Sequence, residues 1–203
     1  MADAIAPGLL LAVPQMEDPN FARTVVLMIQ HGREGSLGLV VNRPTDLRLA
    51  DAMRDAEIDW PARPDQVVWH GGPVDAGPDG PQGLILHHPG RTLDGLPRDD
   101  DAGRAVTNGN GRAHPDFCLY PFPPEDDAVA LLAAEPPENV RLYVGHAGWG
   151  PGQLESELLQ DAWLIAPADP FLVFHTPPDR MWETAIRSLG VEPAAISRGG
   201  GLH

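Results

Sequence analysis

Apolar positions in this chain come in short runs, separated at close intervals by glycine, proline and acidic residues. Leu9 to Val13 is continuously apolar, as a fully buried strand requires, and Pro14 ends it. Thr24-Val-Val-Leu-Met-Ile29 and Leu37-Gly-Leu-Val-Val41 flank the polar break His31-Gly-Arg-Glu-Gly-Ser36. That arrangement predicts an antiparallel hairpin with its tip near Arg33–Gly35. Pro44 and Thr45 then predict a helix through about Glu57, with Leu49, Met53 and Ala56 on one face. Val67 to His70 and Leu84 to His87 predict a second strand pair around Gly71-Gly-Pro-Val74.

From about 89 to 124 this pattern dissolves. Asp99-Asp-Asp101 and Asn108-Gly-Asn-Gly111 are turn material, and only Phe117 to Tyr120 suggests a short strand. Residues 90–116 carry too little apolar surface to offset ordering, so a surface loop excursion is expected there. Asp126 to Ala134 reads as a short helix whose acidic start suits the positive end of its dipole.

The pattern returns with Val140-Arg-Leu-Tyr-Val144, a half-buried strand, and with Leu154, Leu158 and Leu159 at helical spacing. Pro151 falls where a first-turn proline is tolerated. Trp163 to Pro167 predicts a strand and Asp169 to Phe174 a helical turn. A last helix is expected from Thr176-Pro-Pro-Asp179, with Thr176 as N-cap, through Met181, Trp182, Ala185, Ile186 and Leu189 to a stop at Gly190. Strands and helices without regular βαβ alternation indicate a mixed α+β (α/β) domain with a mixed sheet. At 203 residues, one domain over 1–203 is the expectation.

Charge narrows the function classes. The formal net charge is −15, and all 14 basic residues are arginine, scattered along the chain. Such a field repels phosphate backbones, so direct nucleic-acid binding is disfavoured. Cys118 is the only cysteine, which excludes an intrachain disulfide and fits a reducing cytosol. Leu9 to Val13 is too short for a signal core or a membrane span, so a cytoplasmic protein without membrane contact is expected.

Several motifs together resemble the YqgE/AlgH family of bacterial proteins. They are Leu10-Leu-Ala-Val-Pro-Gln-Met16, Asp18-Pro-Asn-Phe21, Arg23-Thr-Val25, His31 and Gly38-Leu-Val-Val-Asn-Arg-Pro44, then Gly71-Gly-Pro-Val74 and Gly83-Leu-Ile-Leu-His87. The strongest is Gly148-Trp-Gly-Pro-Gly-Gln-Leu-Glu-Ser-Glu157, followed by Trp163, Ala166-Pro-Ala-Asp169 and Trp182. They run in order over nearly the whole chain outside 89–124. The resemblance implies a mixed sheet curled into a pseudo-barrel with flanking helices. It also implies a transcriptional-regulator label without an established reaction. Two positions depart from the family: His146 stands where tyrosine is common, and Gln30 where an acidic residue usually precedes His31.

Candidate chemistry gathers at the glycine-rich turn. Gly145, Gly148, Gly150 and Gly152 surround Trp149, with His146, Gln153, Glu155 and Glu157 close in sequence. Two carboxylates and an imidazole could support acid–base chemistry, yet first-turn acids are also what a helix dipole favours. Trp149 could stack on a ligand, in which case its indole is expected to be partly exposed. Asn42, Gly71 and Gly72 complete the candidate binding residues, although a Gly-Gly-Pro is more often a tight crossover than a phosphate cradle. Ser36, Ser156, Ser188 and Ser197 have no nearby triad partners in sequence. His87 and His88 point to opposite strand faces, and no His-x-x-x-His spacing occurs, so neither a metal nor a cofactor is expected.

The leading expectation is a non-enzymatic accessory or regulatory protein, monomeric or weakly dimeric, acting through an unidentified protein or small-molecule partner. A small-molecule-binding protein or a hydrolase using the Gly145–Glu157 turn with His146 is the alternative. A direct DNA-binding regulator comes third.

Overall fold

The computed structural model describes residues 5–60, 63, 65–75, 83–88, 104–107, 113–123, 132 and 137–196, with backbone alone at 104–107, 113–116 and 137. Eleven strands are described: β1 (Gly8–Ala12), β2 (Val25–Gly32), β3 (Gly35–Val40), β4 (Pro44–Arg48), β5 (Val67–His70), β6 (Gly83–His87), β7 (Arg104–Thr107), β8 (Ala113–Phe122), β9 (Val140–Val144), β10 (Ala147–Trp149) and β11 (Trp163–Pro167). The described helices are α1 (Leu49–Asp55), α2 (Gln153–Leu159), α3 (Pro170–His175), α4 (Pro178–Ser188) and α5 (Pro193–Ile196).

The strands form two sheets. One is antiparallel, in the order β10-β3-β2-β1-β11; the other is mixed, in the order β4-β5-β9-β6-β8-β7. In the second sheet β5 and β9 run parallel. These pairings close neither sheet into a barrel, so a pseudo-barrel is not drawn by backbone hydrogen bonds alone.

Alternation along the strands assigns the three cores. Leu9, Leu11, Val25, Leu27, Leu39 and Val41 face the second sheet and pack with Trp69, Leu86, Phe117, Leu119 and Tyr143. Helices α3 and α4 close that layer with Val173, Phe174, Met181, Trp182 and Ile186. The intervening Leu10, Ala12, Val26, Met28 and Val40 face the other way, onto Ala147, Trp149, Leu154 and Trp163. Beyond the second sheet, Val68, Ile85, Phe122 and Leu142 pack with Leu49 and Met53 of α1. Both faces of β1 are therefore buried, which is why its five residues are uninterruptedly apolar.

The expected hairpin is present, with Gly32 opposite Gly35 and Arg33-Glu34 at the tip. Its register shifts between Met28 and Gln30, leaving Ile29 as the extra residue of a bulge. Strands β9 and β11 have the expected bounds. Asp169 caps α3, its carboxylate accepting from the Phe171 amide at 2.9 Å.

Four expectations are corrected. Residues 44–48 are strand rather than helix: Pro44 sits on an edge strand, where its missing N–H costs no pairing, and the Thr45 hydroxyl donates to the Val68 carbonyl at 2.7 Å. The helix occupies only Leu49–Asp55. Strands β5 and β6 do not pair with each other, because β9 lies between them. Thr176 does not cap α4; it ends α3 in extended conformation, and Pro177 takes the N-cap position without a side-chain bond.

Most of the excursion expected at 89–124 lies outside the described residues, as does the helix expected at 126–134 apart from Leu132. The described part belongs to the second sheet, with β8 paired to both β6 and β7. The short strand expected at Phe117 to Tyr120 thus extends from Ala113 to Phe122. Phe117 and Leu119 enter one core and Tyr120 and Phe122 another, an alternation too brief to stand out among the flanking loop residues.

Gly71 and Gly72 form a crossover between the sheets. The Gly71 carbonyl accepts from the Val40 amide, and its own amide donates to Val144, each at 2.7 Å. Val74 and His146 then exchange two backbone bonds of 3.0 and 2.9 Å. A side chain at Gly71 would strike the Gly145 carbonyl, and one at Gly72 (φ +148) the His146 carbonyl. Gly72→Ala is accordingly expected to cost about 3 kcal/mol or more, since strain and overlap coincide. Gly152→Ala, at φ +74 in open space, should cost only about 1–2 kcal/mol. Urea unfolding of the two variants measures the difference; equal losses would mean that the crossover relaxes freely.

Candidate functional site

The glycine-rich turn is the link from β10 to α2. Gly145 (φ +70) turns the chain out of β9, and Gly152 (φ +74) sets the left-handed N-cap of α2. Pro151 lies one residue outside that cap, so it removes no donor from the first helical turn. Gln153 folds back, its Oε1 accepting from the Gly150 amide at 3.1 Å.

Glu157 is the centre of this region. Its Oε2 accepts from Trp149 Nε1 at 3.0 Å and from Trp163 Nε1 at 2.8 Å. Its Oε1 accepts from Gln153 Nε2 at 2.9 Å. The two indoles meet edge to face at 6.0 Å, and Phe21 stacks on Trp149 at 6.2 Å while presenting an edge to Trp163 at 5.5 Å. Trp149 is only 5% exposed, so the partial exposure expected of a stacking platform is overturned. The ring is a core residue with its one donor satisfied.

The two candidate carboxylates have separate surroundings. Glu155 is exposed, and its Oε1 lies 3.8 Å from Nε2 of the buried His31. His31 Nδ1 is 2.8 Å from Ser36 Oγ across the hairpin. Ser36 therefore does have an imidazole neighbour, contrary to the sequence reading, and a hydroxyl–imidazole–carboxylate series results. His146 belongs to neither group. It sits half-buried on the Val74 bridge, where burial pushes its pKa below the ordinary value and Asp75 works against that shift.

A second region has no counterpart among the expected chemistry except Asn42. Asn42 Oδ1 accepts from the Val25 amide at 3.0 Å, and its Nδ2 donates to the Arg23 carbonyl at 2.9 Å. Arg43 Nη2 donates to Pro19 and Ala22 carbonyls at 2.8 and 3.3 Å. Burial lowers the Arg43 pKa, with Asp18 opposing. Together Asn42 and Arg43 clamp the 18–23 loop and hold Arg23 at φ 55, a left-handed conformation unusual for its residue type. The Arg23 guanidinium projects over the Trp182 ring at 5.3 Å. Across from it, α4 contributes Asp179 and Glu183 to a cleft of about 530 Å3. The sequence signal for this place was available in the Asp18–Arg23 and Asn42–Pro44 motifs, but nothing in their spacing joins them to α4.

Among the described residues no three His, Cys, Asp or Glu side chains converge as a metal-ligand set. No helix among them is long and apolar enough to cross a membrane.

The family model described as AlgH-like matches residues 9–194. A UPF0301 protein of Myxococcus xanthus is 37% identical over 201 residues, covering 98% of this chain and 98% of that protein. The UPF0301 protein AlgH of Pseudomonas aeruginosa is 33% identical over 191 residues, 93% of this chain and 90% of its own. The solution structure of the AlgH protein from Pseudomonas aeruginosa superposes with a TM-score of 0.66 at 31% identity, over 97% of this chain and 94% of that one. A crystal structure from Corynebacterium diphtheriae gives 0.70 at 23% identity, over 96% and 92%, and is similar in fold.

Trp149→Ala is expected to cost about 3–5 kcal/mol as a core cavity. Glu157→Gln should cost about 1–3 kcal/mol, because an amide cannot accept all three donors. Glu155→Gln should fall within about 0.5 kcal/mol of the parent. Denaturant melts of the three variants check this order, and a neutral Glu157→Gln would contradict the carboxylate's structural role. For His146, proton NMR should give a midpoint below 6.5. Its neutral form is then favoured by folding, so this contribution is present above about pH 6.5 and is lost as pH falls through the folded pKa.

Proposed function

This chain belongs to the AlgH-like family, and from that premise we propose that it is a non-enzymatic accessory or regulatory protein acting through binding. One observation carries the reading. The chemistry of the glycine-rich turn is engaged internally around Glu157, while the cleft holds a guanidinium, Arg23, and a carboxylate, Asp179, whose side chains have no ion-pair partner among the described residues. A carboxylate holding three donors and a buried indole form a foundation, not a reactive centre. The partner is a small molecule or a protein surface presented to that cleft. The protein acts in the cytoplasm as a monomer or weak dimer.

Regulation by direct contact with duplex DNA is not part of this reading. The charge of −15 opposes it, and the two cleft guanidiniums stand among carboxylates rather than on a basic face.

A second reading, hydrolysis, is favoured by a different observation. Ser36, His31 and Glu155 have the order of groups that an activated hydroxyl needs, with the imidazole between nucleophile and orienting carboxylate. Both Ser36 and His31 are buried, so this series needs an opening of the hairpin to meet a substrate.

Chromosomal replacement separates the two. The Arg23→Gln/Asp179→Asn double variant is expected to reproduce the phenotype of a deletion strain while melting at the parent temperature. Ser36→Ala is expected to complement fully, and a fluorophosphonate probe should leave Ser36 unlabelled. Labelling of Ser36, together with an inactive Ser36→Ala and an active cleft variant, would transfer the function to the relay.

A further inference from the structure

We propose that the cleft binds a small zwitterion, an amino acid or short peptide with a free carboxylate and a free ammonium group. This names the ligand of the binding reading above and rests on it. The cleft is open to solvent and, at about 530 Å3, has room for a small molecule.

The cleft carries charges of both signs, and two of them, Arg23 and Asp179, have no ion-pair partner among the described residues. The Arg23 side chain makes no hydrogen bond or ion pair among the described residues; its guanidinium only covers the Trp182 ring. Arg43 uses Nη2 on two loop carbonyls and leaves Nε and Nη1 for another acceptor. On the facing helix, Asp179 has no ion-pair partner among the described residues, whereas Glu183 is held by Arg187 at 3.3 Å. Arg23 and Asp179 line one cleft without an ion pair between them, the Asn42 clamp anchoring the backbone of Arg23 and the first turn of α4 that of Asp179.

A ligand between them therefore meets donors on one wall and an acceptor on the other. Its carboxylate is placed against Arg23, with Arg43 behind it, as a guanidinium fork binds carboxylates. Its ammonium group is placed against Asp179. The overall field strengthens this choice. At a net charge of −15 a purely anionic ligand is repelled on approach, and a purely cationic one is drawn to the whole surface. A molecule of zero net charge with both ends ionised avoids both penalties and gains at this cleft alone.

The test is an NMR titration of the 15N-labelled full chain with glycyl-leucine, N-acetyl-glycyl-leucine and glycyl-leucine amide. Glycyl-leucine should shift the amides of Arg23, Asn42, Arg43 and Asp179 and saturate by about 10 mM. Each blocked derivative should bind about tenfold more weakly or worse. Arg23→Gln should weaken the free and acetylated peptides but spare the amide; Asp179→Asn should weaken the free peptide and the amide but spare the acetylated form. Absence of shifts at these residues, or equal affinity for all three peptides, overturns the zwitterion. If that happens while the double variant still reproduces the deletion phenotype, the ligand class falls and the binding reading stands. If the double variant complements, the binding reading falls as well.

Discussion

Both indole N–H groups of Trp149 and Trp163 point at one oxygen of Glu157, and much of the architecture follows from that convergence. Trp149 lies on β10 and Trp163 on β11, the two outer strands of the five-stranded sheet. On a flat sheet, four strand spacings would separate those edges by about 19 Å. The rings are instead 6.0 Å apart, so side chains from the two outer strands meet over the apolar layer of Leu10, Val26, Met28 and Val40. No backbone ladder joins the two edges. A side-chain carboxylate on α2 accepts from the tryptophans of both edges and so links them. A buried indole without an acceptor would itself be costly, which gives Glu157 a role that neither an alanine nor a lysine could fill.

That constraint reaches the cleft through Phe21. The ring rests on both tryptophans, and two residues later the chain reaches Arg23. Between these points the loop is closed by local bonds: the Asp18 carbonyl accepts from Phe21 and Ala22, and the Thr24 hydroxyl donates to Phe21. Asn42 and Arg43 then tie the loop to the end of β3. The aromatic seat therefore fixes one end of a short rigid segment and the asparagine clamp the other. Arg23 is presented from it much as a side chain is presented from a strand, with little backbone freedom left to lose on binding. Trp182 completes the frame from α4, its indole donating to the Ala12 carbonyl at 2.8 Å.

Local features of this architecture were legible in the sequence, and long-range ones were not. The hairpin, β9 and β11 could be read because their apolar runs are bounded by glycine, proline or polar breaks. Residues 44–48 misled because Pro44 and Thr45 suit a helix start and an edge strand equally; pairing with β5 decides between them. The place of β9 between β5 and β6 depends on a parallel pairing across some seventy residues, beyond any local signal. At the turn, sequence proximity brought Trp149, Gln153 and Glu157 together correctly but could not show which way the indole faces. Trp163, Phe21 and the cleft needed the fold.

The density of unusual residues at the turn is itself informative about why it invites a functional reading. Positive φ at Gly145 and Gly152 and a carboxylate with three fixed donors tolerate few residue types, so a purely structural requirement writes a conspicuous motif. The cleft is lined by arginine, asparagine and aspartate, residue types found throughout the surface, and nothing in their spacing marks it out. Arg23 and Asp179 are told apart from other unpaired surface charges only by the cleft they share, where neither side chain has an ion-pair partner among the described residues. Each side chain is carried by its own backbone anchor, the Asn42 bond to the Arg23 carbonyl and the first turn of α4. The gap between them is stable on its own only because both groups still face solvent, and it becomes favourable to fill when one ligand brings both counter-charges at once.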